Sequence, residues 1–100
     1  MVKHVILWRL KDEVTGDAKK TVLRVMKENL EALVGKVPGL LNLTIVTEPM
    51  ASSNADVMLD STLESEEALK GYQSHPDHVA VANTYVRPFT EVRLCMDYEA

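Results

Sequence analysis

"VKHVILWRL", residues 2–10, is the stretch that decides the fold, because it carries apolar side chains on both faces of one strand. Its β-branched and aromatic residues, without a turn former, predict an extended strand. Side chains alternate along a strand, so one face holds Val2, His4, Ile6, Trp8 and Leu10. Val5 and Leu7 lie on the opposite face, where a strand covered on one side only would carry polar residues. Something must therefore cover each face of this strand.

The rest of the chain supplies a layer to cover one of these faces. Apolar residues recur at three- and four-residue steps over residues 15–34 and predict a helix. Strands are predicted over 40–48 and 56–64, helices from Ser65 to Gln73 and from Pro76 to about Val86, and a final strand over 89–98. The order β-α-β-β-α-α-β predicts an α+β, ferredoxin-like split β-α-β sandwich in one domain, residues 1–100. Its four-stranded antiparallel sheet has helices on one face.

The other sheet face needs a second cover, most simply a second copy of the chain. A chain of 100 residues has a thin core, and a symmetric homodimer would bury the apolar face that the helices leave open. We therefore expect a homodimer through the sheet face.

Charge and composition exclude several classes of partner. The net charge is −4, and the basic cluster at residues 19–27 is followed by Glu28 and Glu31 at helix spacing, which is typical of a solvated helix face. We expect no nucleic-acid partner. The first apolar run is too short for a signal peptide or a membrane span, so no membrane partner and a cytoplasmic location are expected. Cys95, the single cysteine, is predicted to be a small buried or half-buried strand residue.

"GYQSHPDHVAVANTYV", residues 71–86, holds the candidate catalytic pair. Pro76 suits the first position of a helix and pushes His75 out of helical geometry, so His75 is predicted to cap or bend the chain. Tyr72 and His78 are six residues apart, but the bend allows both side chains to point into one corner. A neutral imidazole at His78 is a usable base, and the Tyr72 hydroxyl could donate to an oxyanion.

Three further residues are predicted to bind a substrate. Tyr85 follows His78 and Ala82 on a helical stripe that would face the sheet, while His4 and Trp8 share the strand face that would meet the helices. A packed, structural His4 is the alternative. His75 and His78 have a chelating spacing, yet no nearby ligand completes a metal site, and no phosphate or dinucleotide motif is present. We therefore expect neither a metal nor a cofactor.

The quoted segments, together with the closing "DYE", resemble the stress-responsive A/B barrel (Dabb) family over nearly the whole chain. The resemblance implies a dimeric α+β barrel with a pocket between sheet and helices. One branch of that family contains polyketide cyclases, whose catalytic tyrosine and histidine match Tyr72 and His78 and whose strand histidine matches His4. That branch has another histidine where this chain has Asp56 and Val57, so a cyclase substrate is not carried over.

Two hypotheses follow for the function. The first is a cofactor-free enzyme of cyclase or lyase type that abstracts a proton next to a carbonyl, with His78 as base and Tyr72 as donor. Its substrate would be a small carbonyl or polyketide-like molecule. The second is a non-catalytic stress-responsive protein that binds a small ligand.

Overall fold

One four-stranded antiparallel sheet forms the base of the computed structural model, which describes residues 1–100. Its strands are β1 (Val2–Leu10), β2 (Leu40–Val46), β3 (Val57–Leu63) and β4 (Thr90–Glu99). The order across the sheet is β2-β3-β1-β4, so β1 lies between β3 and β4 and pairs with both. The predicted ferredoxin-like fold is confirmed, with strand limits within two residues of those expected.

Helices cover one face of this sheet. They are α1 (Gly16–Glu31), α2 (Glu66–Ser74) and α3 (Pro76–Val81), and α3 continues into a π-helical turn over Ala82–Val86. The core lies between the two layers, with Met26 and Leu30 of α1 packed among buried residues of the sheet. Arg24 and Glu28 form an exposed ion pair on α1, as expected of a solvated face. Lys27 and Glu31 also pair, but they lie against β2, where Lys27 donates to the carbonyl of Ile45 and Glu31 accepts from its N–H. None of the helices combines the length and the apolar composition that a membrane span requires.

The bend between α2 and α3 has the predicted cause. His75 is extended, with φ −63° and ψ 132°, and Pro76 takes the first position of α3. The Nδ1 atom of His75 accepts a hydrogen bond from the backbone N–H of Asp77 at 3.1 Å, which satisfies one of the free donors at the start of α3. His75 is therefore the N-cap of the helix that carries His78.

The π-helical turn changes which side chains face the sheet. A π turn holds more residues than an α turn, so the inward position after Ala82 moves from residue 85 to residue 86. Ala82 and Val86 are buried, and Tyr85 is only half-buried. The predicted stripe through Tyr85 is therefore wrong beyond Ala82, because α-helical spacing does not continue to the end of the element.

β4 is one of the two edge strands of the sheet and has its polar side chains on the helix side. By register, Arg93, Cys95 and Asp97 lie next to Trp8, Ile6 and His4 of β1. The helices pack over β1, β2 and β3, which leaves this inner face of β4 open. The apolar residues of β4 are exposed on the other sheet face: Val92, Leu94, Met96 and Tyr98.

Cys95 departs from its prediction for the same reason. It is exposed rather than buried, because no helix covers the inner face of this edge strand.

Candidate active site

A cavity of about 390 Å³ opens between the sheet, the end of α2, and the segment from α3 to β4. Its volume is in the range of small-molecule sites. Apolar side chains that include Ile6, Trp8 and Val86 form much of the lining. Tyr72 and His78 provide polar groups in the same cavity, and Arg87 and Arg93 provide positive charge.

The bend brings Tyr72 and His78 into contact. Tyr72 lies near the end of α2 and His78 in the first turn of α3, and their ring centroids are 4.3 Å apart with the planes tilted by 39°. On one continuous helix, side chains six residues apart would point to opposite sides. The extended conformation of His75 therefore allows the rings of Tyr72 and His78 to contact each other.

His78 is held as a neutral base by its surroundings. Its Nδ1 lies 3.1 Å from the carbonyl oxygen of Gln73. A carbonyl oxygen only accepts, so Nδ1 carries the hydrogen and Nε2 keeps a lone pair. Burial lowers the pKa of His78, the positive charges of Arg87 and Arg93 lower it further, and the bond to Gln73 opposes this. The ring is therefore unprotonated at Nε2 near neutral pH.

Tyr72 is a hydrogen-bond donor and not a second base. Its side chain is 1% exposed, and burial raises the pKa of its hydroxyl well above the ordinary value, against the opposing charge of Arg93. The hydroxyl has no hydrogen-bond partner within the protein. Leaving a buried hydroxyl unpaired costs about 1–3 kcal/mol. A ligand in the cavity that accepted a hydrogen bond from Tyr72 would recover that cost.

His4 lies behind Tyr72 as a third ring of the cluster. It is 1% exposed, and its ring meets that of Tyr72 edge-on at 5.9 Å. Its Nδ1 is hydrogen-bonded to Oδ1 of Asp97 on β4. Its carbonyl oxygen accepts a hydrogen bond of 2.8 Å from the buried hydroxyl of Ser61 on β3. His4 is thus fixed from both neighbouring strands, and it is not itself among the cavity-lining residues.

The other predicted site residues are divided between the cavity and its surroundings. Trp8 lines the cavity, and Tyr85 does not. His75 caps α3 through Nδ1, and the Nδ1 of His78 faces Gln73, so these two histidines already use one ring nitrogen each.

Sequence reasoning missed Arg87, Arg93, Gln73 and Asp97. The signal for Arg93 and Asp97 was available in the alternation of the last strand, whose polar side pairs with the apolar and histidine-bearing side of β1. The role of Gln73 uses only its backbone carbonyl, which leaves no trace in the sequence.

One group of side chains could hold a metal ion, and it lies outside the predicted histidine pair. His4, Cys95 and Asp97 bring one ligand atom each to within 4.8 Å of one another. Two of these residues come from β4 and one from β1, so their spacing along the chain gives no metal motif.

Comparisons with known proteins agree on one family. The family model described as Stress responsive A/B Barrel Domain matches residues 2–100. The chain is 33% identical over its whole length to a stress-response A/B barrel domain-containing protein of Arabidopsis thaliana, and spans 37% of that protein. It is 30% identical to olivetolic acid cyclase of Cannabis sativa, covering 97% of this chain and 94% of the cyclase.

A solved structure from Bacteroides fragilis is also similar. It is a dimeric protein of unknown function with a ferredoxin-like fold, 30% identical to this chain, with a TM-score of 0.91. The match covers 99% of this chain and 95% of the other.

Proposed function

We propose that this chain, which belongs to the stress-responsive A/B barrel (Dabb) family, is a cofactor-free enzyme. It would remove a proton from a carbon next to a carbonyl group. One observation carries this proposal: a buried tyrosine hydroxyl without a partner lies beside a neutral histidine in one cavity. A donor and a base at one site are what enolate formation requires.

The proposed reaction begins with the substrate carbonyl oxygen accepting a hydrogen bond from the Tyr72 hydroxyl. The Nε2 lone pair of His78 takes the proton from the adjacent carbon, and the electron pair of the C–H bond moves onto the carbonyl oxygen. The Tyr72 hydrogen bond and the positive charges of Arg87 and Arg93 stabilise the resulting enolate. Attack of the enolate carbon on a second carbonyl of the same molecule closes a ring, and His78 then returns the proton to the new alkoxide.

The named relative supports this class of reaction. Olivetolic acid cyclase carries a ring-closing activity in its name and aligns with almost the whole chain. We therefore propose a small carbonyl or polyketide-like substrate that fits a cavity of about 390 Å³. Trp8 and the apolar lining would contact its hydrocarbon part.

We also propose that the protein is a homodimer through the open sheet face, which would complete an α+β barrel. That face carries exposed apolar side chains of β4, and Leu7 of β1 is beside them and also exposed. A contiguous apolar face of this kind marks an interface. The similar protein from Bacteroides fragilis is dimeric, which supports the same assembly here.

Two measurements test the catalytic proposal. Trp8 is the only tryptophan and lines the cavity, so its fluorescence reports ligand binding directly. Proton abstraction is followed by NMR as deuterium exchange at the carbon next to the carbonyl of 1-phenylpropan-2-one in D2O. We expect exchange above the buffer rate, lowered about a hundredfold or more in both Tyr72→Phe and His78→Gln. His75→Asn, which keeps the cap, is the matched control and should exchange normally.

The alternative is a non-catalytic protein of this family that binds a small ligand in the same cavity. The packing of Tyr72 on His78 and the bond from His78 to Gln73 favour it, because both contacts also stabilise the bend. Quenching of Trp8 by 1-phenylpropan-2-one without deuterium exchange would support this alternative and contradict catalysis.

For either function we propose that the protein is located in the cytoplasm, where a lone thiol such as Cys95 stays reduced.

A further inference from the structure

We propose that His4, Cys95 and Asp97 form a binding site for a zinc ion at the junction of β1 and β4. Zinc binding here is separate from proton abstraction in the cavity, because none of the three side chains is among the cavity-lining residues.

The sheet register places the three ligands together. His4 is paired directly with Asp97 across the strands, and Cys95 is two residues before Asp97 on the same face of β4. All three therefore project from two hydrogen-bonded strands, which hold ligand positions more rigidly than loops do. The hydroxyl of Ser61 fixes the backbone of His4 from the other side.

Two of the three distances between the ligand atoms suit a tetrahedral ion, and the third, between His4 and Asp97, is too short. Cys95 Sγ lies 3.7 Å from His4 Nδ1 and 3.5 Å from Asp97 Oδ1. Zinc bonds of about 2.3 Å to sulfur and about 2.0–2.2 Å to nitrogen or oxygen put tetrahedral ligand atoms about 3.3–3.6 Å apart. The two sulfur distances are close to this range, and a rotation of the exposed Asp97 side chain would open the space that its hydrogen bond to His4 now occupies.

The ligand types select the ion. A thiolate with an imidazole and a carboxylate suits Zn²⁺, whereas Mg²⁺ and Ca²⁺ prefer oxygen ligands only. On binding, the Cys95 thiol loses its proton, and His4 carries its hydrogen on Nε2 while Nδ1 binds the ion. Three protein ligands leave a fourth position for water, as in open zinc sites.

A route to the site exists from solvent. Asp97 borders a second cavity of about 360 Å³ between α2 and β4, and Cys95 is exposed on the edge strand. Only the histidine is buried, so the ion would approach from the side of Cys95 and Asp97. It would replace the hydrogen bond between His4 and Asp97.

Cobalt(II) titration of the reduced full chain tests this site, with a phosphine as the reductant. Cys95 is the only cysteine, so a thiolate-to-cobalt charge-transfer band in the near ultraviolet identifies it as a ligand. We expect one Co²⁺ per chain, a tetrahedral spectrum, and displacement by Zn²⁺. Cys95→Ser should remove the charge-transfer band. In calorimetry, Cys95→Ser and Asp97→Asn should each weaken Zn²⁺ binding at least about tenfold, because loss of a residue that only hydrogen-bonds a metal ligand already costs that much affinity.

Two controls separate this site from other surface groups. His75→Asn removes the half-buried imidazole of the bend, and Glu99→Gln removes the next carboxylate on the same face of β4. Both should bind Zn²⁺ as the parent does. A charge-transfer band that does not appear with Co²⁺, unchanged Zn²⁺ affinity in Cys95→Ser, or loss of binding in His75→Asn would each overturn the proposal. None of these measurements uses a substrate, so failure of the proposed catalysis would leave their outcome unaffected.

Discussion

At the scale of single residues, the site depends on burial and on which partner each polar group has. Burial keeps His78 neutral and outweighs the hydrogen bond from its Nδ1 to the carbonyl of Gln73, and burial also keeps Tyr72 protonated. The same desolvation therefore prepares one ring as a base and the other as a donor.

Acid should destabilise the protein partly through His78. Burial lowers its folded pKa below the ordinary value of 6.5, so as pH falls the unfolded chain takes up the proton first. The stability that neutral His78 contributes is fully present above about pH 6.5 and is lost as pH falls below it. We expect the urea midpoint to drop less between pH 7 and pH 5 in His78→Gln than in the parent. An equal drop in both would show that His78 does not titrate in this way.

The hydroxyl of Tyr72 should add little to folding. Because it has no partner in the protein, Tyr72→Phe should leave the free energy of unfolding within about 1 kcal/mol of the parent, or raise it. Tyr72→Ala, which also removes the buried ring, should cost about 3–5 kcal/mol. Urea denaturation at pH 7 measures both. A large loss in Tyr72→Phe would mean that the hydroxyl is paired in solution and would weaken its assignment as a donor for a ligand.

At the scale of elements, the site depends on two interruptions of helical geometry, the bend between α2 and α3 and the π-helical turn after α3. His75 ends α2 and caps α3, and the π-helical turn then shifts the inward positions to Ala82 and Val86. The first interruption turns Tyr72 and His78 toward each other, and the second replaces Tyr85 by a smaller apolar side chain at the sheet. Local backbone geometry, and not a change of residue types, thus decides the shape of this wall.

The cap at His75 can be tested by a pair of substitutions. His75→Ala removes the acceptor for the N–H of Asp77 and should lower the free energy of unfolding by about 0.5–2 kcal/mol. Asn is a favoured N-cap residue, so His75→Asn should keep most of that stability. Thermal or urea unfolding of the two variants measures the difference. Equal stability of His75→Ala and His75→Asn would show that the cap hydrogen bond contributes nothing measurable.

At the scale of the whole molecule, the two faces of the sheet have different surroundings. The inner face supports the cavity and the ring cluster, and the outer face presents apolar side chains that the single chain does not cover. Leu94 is 63% exposed and Met96 is 67% exposed, both on the outer face of the edge strand. Such exposure is costly in a monomer and is relieved when a second copy packs against it.

Charge on that outer face should separate the proposed dimer. Leu94→Glu with Met96→Glu should shift the mass measured by light scattering from two chains to one, because each carboxylate would have to be buried unpaired. Circular dichroism should show the same secondary structure, since neither side chain belongs to the core. Lys20→Glu on the exposed side of α1 is the control and should remain dimeric. An unchanged dimer in the double variant would place the interface elsewhere.

Much of this fold follows from patterns that a sequence carries locally. The doubly apolar β1, the periodic α1 and the His75-Pro76 bend are each set by short-range rules of side-chain alternation, helix spacing and proline geometry. The same rules indicated that Tyr72 and His78 could share a corner. They failed at Tyr85, because a π turn depends on how the segment packs, and at Cys95, because exposure depends on which strand lies at the edge.

The sequence by itself therefore determined the elements and their order, and it allowed the two catalytic candidates to meet across one bend. Only the tertiary structure decided that Asp97 meets His4, that Arg93 enters the cavity, and that Cys95 completes a candidate ligand set. The physical reason is that these contacts join β1 to β4 across about ninety residues of chain. Strand order and register fix such contacts, and no local propensity encodes them.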